Sequence, residues 1–176
     1  MKIIVVIDVQ NDFMTGPLGS IESAAALPHI IKRLHTLNPY DYVFYTKDTH
    51  DVNYLDTPEG KKLPVPHCIR GTFGWEIPAA VWEINQNAEV VEKPTFGSPL
   101  LIERIKDVIH ESGLPVDGIE IFGVCTDICV VSNALAIKAH FPDLPIAINA
   151  ECCAGVTPEL HEAALKVMAS CQIDII

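Results

Sequence analysis

The stretch FGVCTDICVVSN, residues 122–133, sets two cysteines four positions apart where an apolar run meets a helical pattern. C-x-x-x-C is neither the redox C-x-x-C nor a convincing half of a zinc site, so residues elsewhere must decide which thiol reacts. A thiol becomes a nucleophile when a base can take its proton and a cation or a helix N-terminus favours the thiolate. Asp8 and Lys93 are groups of those types, and each closes an apolar run of its own. A second set, Asp48, His50 and His67, has the donor types that bind one divalent transition metal, zinc foremost, with manganese and iron as alternatives. Taken singly these residues have plainer readings: a turn cap, a solvated lysine, small buried hydrophobes, loop histidines. Their convergence at one place would argue for chemistry.

Convergence depends on the elements that carry them. Six short β-rich runs recur, at 2–7, 42–46, 88–92, 118–123, 145–149 and 171–176. Between most of them lie stretches of helical period, Ile21–Thr36, Pro99–Glu111, Asp127–Ala139 and Pro158–Ser170, the last opened by Thr157 as cap with Pro158 at its first position. Such alternation predicts a three-layer, doubly wound α/β fold with a six-stranded, mainly parallel sheet, Rossmann-like in plan, in a single domain over 1–176. In open α/β sheets ligands bind beyond the carboxyl ends of the strands. Asp8, Asp48 with His50, Lys93, and Cys125 with Cys129 follow four of these runs, so all should share one sheet edge. Cys129 falls in the first turn of its predicted helix, where it would react as a thiolate of lowered pKa. Cys125 precedes that helix and would lend only its backbone N–H. The segment from Thr49 to Ala88 carries too many prolines and glycines for a plain crossover helix, and a loop of that length in a compact domain is usually functional.

Composition narrows the partners. The 176 residues carry a formal net charge of -11 and no Lys/Arg cluster, which argues against nucleic acid and anionic membrane surfaces and for a small-molecule substrate. The apolar run of MKIIVVIDVQNDF is short and closed by Asp8, so it reads as a buried strand rather than a signal peptide. No run approaches the roughly 20 apolar residues of a membrane span. A cytoplasmic protein with six reduced thiols is expected.

IDVQNDF, EKPTFGS and GVCTDICV, in that order, resemble the three motifs of the isochorismatase-like cysteine hydrolases and, within them, of the nicotinamidases. The resemblance runs over the whole chain. It implies an Asp8–Lys93–Cys129 catalytic triad, an oxyanion hole made by the backbone N–H groups of Cys125 and Cys129, and a cis peptide at Val124–Cys125. It also implies a metal held by Asp48, His50 and His67, with Glu59, or in its place Asp51, Asp56 or water, as a fourth ligand, and self-association into a homo-oligomer. The activity implied is hydrolysis of nicotinamide to nicotinate and ammonia, as in NAD salvage. The alternatives are another small carboxamide, carbamoyl or ureido substrate or, outside enzymes, a metal-binding or thiol-sensing module. Phe13 and Phe96 are candidate pocket walls for a flat ring. Two departures affect that pocket: Pro64 stands where the family often has tryptophan, and Trp75 where many members have a small residue. The walls, Trp75 included, are therefore expected to be reshaped.

The different roles expected of the two cysteines give a direct test. Cys129→Ala should abolish amide turnover, whereas Cys125→Ala should retain much of it, because only the backbone of Cys125 is invoked. Equal loss in two folded variants, read by ammonia release, would overturn the assignment.

Overall fold

The computed structural model describes residues 1–176, in which six strands and seven α-helices are arranged around one sheet. The strands are β1 (Lys2–Ile7), β2 (Tyr42–Asp48), β3 (Glu89–Lys93), β4 (Gly118–Val124), β5 (Ile146–Ala154) and β6 (Asp174–Ile175). They are ordered β3-β2-β1-β4-β5-β6, and every pair is parallel. The sheet is thus wholly rather than mainly parallel. Ile3 to Ile7 of the central β1 have no exposed surface, as a strand covered on both faces requires.

The helices are α1 (Asn11–Met14), α2 (Ile21–His35), α3 (Pro58–Lys62), α4 (Ala79–Trp82), α5 (Pro99–Glu111), α6 (Val131–His140) and α7 (Pro158–Ser170). Side-chain oxygens of Ser20, Ser98 and Thr157 cap α2, α5 and α7, with proline at the first turn of the latter two; these satisfy N–H groups that a helix start leaves without partners. α2 contacts α4, while α5, α6 and α7 contact one another in succession. Right-handed crossovers place these two groups on opposite faces of the sheet.

Three elements differ from the sequence reading. β2 continues to Asp48, which pairs in register with Lys93 of β3. The final run contributes only two residues, because Cys171, Gln172 and Ile173 turn back to bond the last carbonyls of α7, with Gln172 at φ +63°. The predicted helix from Asp127 begins instead as a π-helical turn, Thr126–Val130, in which the Val130 N–H reaches back to the Cys125 carbonyl at 3.0 Å. The long segment after β2 forms short helices and turns and is folded back by a bridge between His50 and Ile69. β1 and β4 are neighbours at the point where chain order reverses, and Ile7 pairs with Gly123. At Gly123, φ is +130° and a Cβ would come within 2.1 Å of the Ile7 carbonyl oxygen, so only glycine lets the two strand ends approach this closely.

A buried ion pair ties α2 to the sheet. Glu120 of β4 is 2% exposed, and Arg33 grips it with two hydrogen bonds of 2.7 Å while Asn149 donates a third at 3.2 Å. Burial alone would raise the Glu120 pKa, but the Arg33 and Asn149 hydrogen bonds outweigh it and lower the pKa below the ordinary glutamate value. Arg33→Met would leave a buried carboxylate without its partner, a loss of about 3–5 kcal/mol. A carboxyl whose folded pKa is depressed contributes stability above its unfolded pKa and loses it as pH falls through the folded one. Urea unfolding should therefore show a gap between wild type and Arg33→Met that is full at neutral pH and narrows as the pH falls through the ordinary glutamate range. A gap independent of pH would show that Arg33 contributes by packing alone.

Candidate active site

The sheet brings Asp8, Lys93 and Cys129 together. Asp8 follows β1 with φ +48° and is fully buried. The Thr46 hydroxyl donates to its Oδ1 at 2.6 Å and accepts its N–H at 3.1 Å. Lys93 Nζ, also buried, lies 2.6 Å from Asp8 Oδ2, 3.6 Å from Asp48 Oδ1 and 3.6 Å from Cys129 Sγ, and donates to the Thr95 carbonyl at 3.0 Å. At 2.6 Å the Lys93–Asp8 contact is a tight, buried, charge-assisted ion pair. Lys93 Nζ is the one partner of Asp8 Oδ2, which takes no further hydrogen bond from the protein. The Val124–Cys125 peptide is cis, and no hydrogen bond is spent on the Cys125 N–H.

Burial raises the pKa of Asp8 above the ordinary aspartate value, against the lowering effect of Lys93. Burial would also discharge Lys93, but Asp8, Cys129 and Asp48 overcome it and hold the ammonium protonated. The thiol departs from the sequence-based expectation. Burial first, and then the Asp8 carboxylate, push Cys129 well above the ordinary thiol range, with Lys93 opposing. Cys129 thus stands between a carboxylate that disfavours its thiolate and an ammonium that favours it. Burial and the Asp127 charge likewise push Cys125 up to about 12.

Beside this set lie Asp48, His50 and His67, all buried, with one donor atom each within 4.8 Å of the others. Asp48 Oδ2 is 3.0 Å from His50 Nε2 and 3.4 Å from His67 Nε2. Glu59, at the first turn of α3, brings Oε1 to 3.6 Å and 3.9 Å from the same two nitrogens. Tetrahedral zinc with bonds of about 2.0–2.2 Å separates its ligands by about 3.3–3.6 Å, a range that these four distances of 3.0–3.9 Å bracket. The Val65 carbonyl accepts from His67 Nδ1 at 2.8 Å and leaves Nε2 for the ligand position. Although burial opposes it, hydrogen bonds from His50 and His67 and the charge of Lys93 keep the Asp48 carboxyl well below the usual carboxylate range.

A cavity of about 430 Å³ opens onto both sets: Cys125, Cys129, Asp48, Glu59 and His67 line it, with Phe13, Phe96, Leu18, Leu63, Ile128 and Val156. Phe13 and Phe96 are thus where a pocket wall requires. Trp75 is not among the lining residues. Its indole N–H donates to Thr49 Oγ1 at 2.9 Å, and its ring lies under Lys47 Nζ, 3.0 Å from the centroid. The turn Phe73–Trp75 directs the side chain away from the cavity, so Trp75 is part of the scaffold.

Three further residues build the site and were not singled out in the sequence. Gln10 accepts the Asp48 N–H at 2.7 Å and donates to the carbonyls of Asp48 and Trp75 at 2.9 Å each. Asp12 accepts the Cys68 N–H at 2.7 Å, next to His67. Asn133 donates to the Cys129 carbonyl at 2.8 Å. The signal for the first two was their place in the polar string after β1, and for Asn133 its place as an amide inside an otherwise apolar stretch.

Comparison with known proteins agrees with this arrangement. A family model for the isochorismatase domain matches residues 2–176. The nicotinamidase/pyrazinamidase of Mycobacterium tuberculosis is 26% identical over 97% of this chain and 100% of its own length. Among solved structures, the pyrazinamidase/nicotinamidase of Streptococcus mutans has a TM-score of 0.85 at 26% identity and covers 100% of both chains. The nicotinamidase/pyrazinamidase PncA of Bacillus subtilis has a TM-score of 0.84 at 26% identity, over 99% of each chain.

The site separates thiol ionisation from turnover. Asp8→Asn removes the anion that raises the Cys129 pKa and leaves Lys93, which lowers it. Its alkylation by iodoacetamide should therefore titrate at lower pH than in the wild type. Amide turnover should nevertheless fall by about 10²–10⁴-fold, the usual contribution of a general base. Alkylation that titrates at higher pH in Asp8→Asn would instead make Asp8 an activator of the resting thiol.

Proposed function

The chain belongs to the isochorismatase family, and from that membership and the site geometry we propose that it hydrolyses nicotinamide to nicotinate and ammonia through a thioester on Cys129. The observation that carries this reading is a buried ammonium, Lys93, that pairs with the buried Asp8 carboxylate at 2.6 Å and reaches the buried Cys129 thiol at 3.6 Å, at the edge of an apolar cavity. The names of the Mycobacterium tuberculosis, Streptococcus mutans and Bacillus subtilis relatives support the same substrate.

In this mechanism Asp8 Oδ2 takes the Cys129 proton as Sγ attacks the carboxamide carbon. The raised pKa of Asp8 suits it to the task, since a base works best when its pKa approaches the operating pH. The N–H groups of Cys125 and Cys129 receive the negative charge that develops on the carbonyl oxygen. Asp8 returns the proton to the departing nitrogen, ammonia leaves, and the acyl group stays on Sγ. Asp8 then deprotonates a water that attacks the thioester, the leaving Cys129 sulfur takes that proton back from Asp8, and the acid departs as nicotinate after losing its proton to solvent. Lys93 remains charged throughout and holds Asp8 and the sulfur in a fixed relation. Asp48, His50 and His67, with Glu59 as fourth donor, would hold a divalent metal, zinc by the nitrogen and oxygen character of the set. When bound, that ion supplies Lewis-acid coordination to a ring nitrogen, so its contribution is orientation. Phe13 and Phe96 flank the flat ring.

Orientation through a ring nitrogen distinguishes a nicotinamidase from a general amidase. Benzamide lacks that nitrogen, and a misplacement of about 1 Å can cost about 100-fold. The metal-loaded protein should therefore turn over benzamide about 100-fold more slowly than nicotinamide. Chelation, or His67→Ala, should narrow the ratio by damaging nicotinamide turnover most. Equal turnover of both amides by the loaded protein would refute ring anchoring and favour a non-aromatic amide as substrate.

A further inference from the structure

We propose that Asn133 is the positioning residue that sets the nucleophile against the buried ammonium. Its side chain is fully buried and uses donors and acceptor together: Nδ2 donates to the Cys129 carbonyl at 2.8 Å and to the Phe96 carbonyl at 2.9 Å, and Oδ1 accepts the Ser98 N–H at 3.0 Å. One amide therefore joins the π-helical turn that carries Cys129 to the loop that follows β3.

What that loop carries makes the joint consequential. Lys93 ends β3, and its Nζ is held by the Thr95 carbonyl, one residue before Phe96. The contacts close a ring. Lys93 Nζ is fixed by Thr95; the adjacent Phe96 is fixed by Asn133; Asn133 fixes the Cys129 carbonyl; and Cys129 Sγ returns to Lys93 Nζ at 3.6 Å. No other side chain donates to the Cys129 carbonyl. The same amide anchors the start of α5, since Ser98, whose N–H it accepts, caps that helix through Leu101. Asparagine has a low helix propensity and competes with the backbone for hydrogen bonds. Its use inside a buried helical stretch is explained by three backbone groups from two segments that no apolar residue could satisfy.

The kinetic arm of the test rests on the amidase reading, and the alkylation arm does not. Asn133→Asp keeps the size of the side chain, loses both donors and sets carboxylate oxygen against two carbonyls. Asn133→Thr keeps one hydroxyl donor. Thermal unfolding checks that each variant is folded, and mass-spectrometric counting of alkylated Cys129 gives the number of reactive sites. Per counted site, Asn133→Asp should lose about 10–100-fold in kcat for nicotinamide, with KM changed less than about 3-fold, as expected for a displaced nucleophile. Asn133→Thr should fall between it and the wild type. The rate constant for Cys129 with iodoacetamide at fixed pH should drop in the same order, because Lys93 no longer stabilises the sulfur. If Asn133→Asp does not fold, the Thr variant carries the test alone. A folded variant that keeps wild-type kcat per site, or alkylates as fast as the wild type or faster, overturns the proposal. A wild-type protein without nicotinamide turnover would end the nicotinamidase reading and leave the alkylation order still to decide the role of Asn133.

Discussion

A lysine ammonium with no exposed surface is the constraint on which the site depends. Desolvating a charge is tolerated only where other charges and hydrogen bonds replace water. Lys93 meets that requirement with Asp8 at 2.6 Å, Asp48 at 3.6 Å and the Thr95 carbonyl. Two buried carboxylates around one ammonium leave a negative excess, and it lies at Asp48, whose second oxygen faces His50 and His67. Burial works against a charged His67, yet its hydrogen bonds to Asp48 and to the Val65 carbonyl raise its pKa. Two neighbouring features thus share one electrostatic origin: a proton-transfer set on one side of Asp48 and a cation-seeking donor set on the other.

Parallel pairing delivers Asp8, Asp48 and Lys93, whereas His67 and Glu59 come from the segment after β2. Asp48 and Lys93 are Cα partners across β2 and β3, and Ile7 and Gly123 across β1 and β4. Residues one or two beyond each strand end must therefore stand side by side. Gly123 allows the closest of these approaches, and the polar string Gln10, Asn11 and Asp12 then pins the long segment after β2 through Asp48, Trp75, Phe73 and Cys68. The segment that carries His67 and Trp75 has little regular structure, and it is held by side chains that follow the neighbouring strand, β1.

Much of this was legible in the sequence. Strand ends reveal themselves where an apolar run stops, so Asp8, Asp48 and Lys93 could be assigned to one edge, as could the two cysteines. Directions of side chains were not legible. Trp75 was expected at the pocket wall because of its place in the chain, but a short turn sends its ring beneath Lys47. Gln10 and Asn133 look like ordinary polar residues until the carbonyls they satisfy are in place. The surroundings of Cys129 were not legible for a similar reason: a cation and a helix start pull its pKa down, whereas burial and the Asp8 charge, which exist only in the folded protein, push it up. The π-helical turn lies in a segment whose pattern reads as plain helix.

His67 is wedged among other rings. Phe13 meets it edge-on at 5.6 Å, Tyr54 at 5.0 Å and His50 at 4.8 Å, while Nδ1 is held by the Val65 carbonyl. A side chain so enclosed has already lost its rotational freedom during folding. An arriving ion would find its donors waiting and would not have to assemble them, unlike small zinc domains, whose metal binding is their folding reaction. A divalent ion at these donors would be a fitting in an already finished frame, one that the packing of the rings, and not the ion, has shaped.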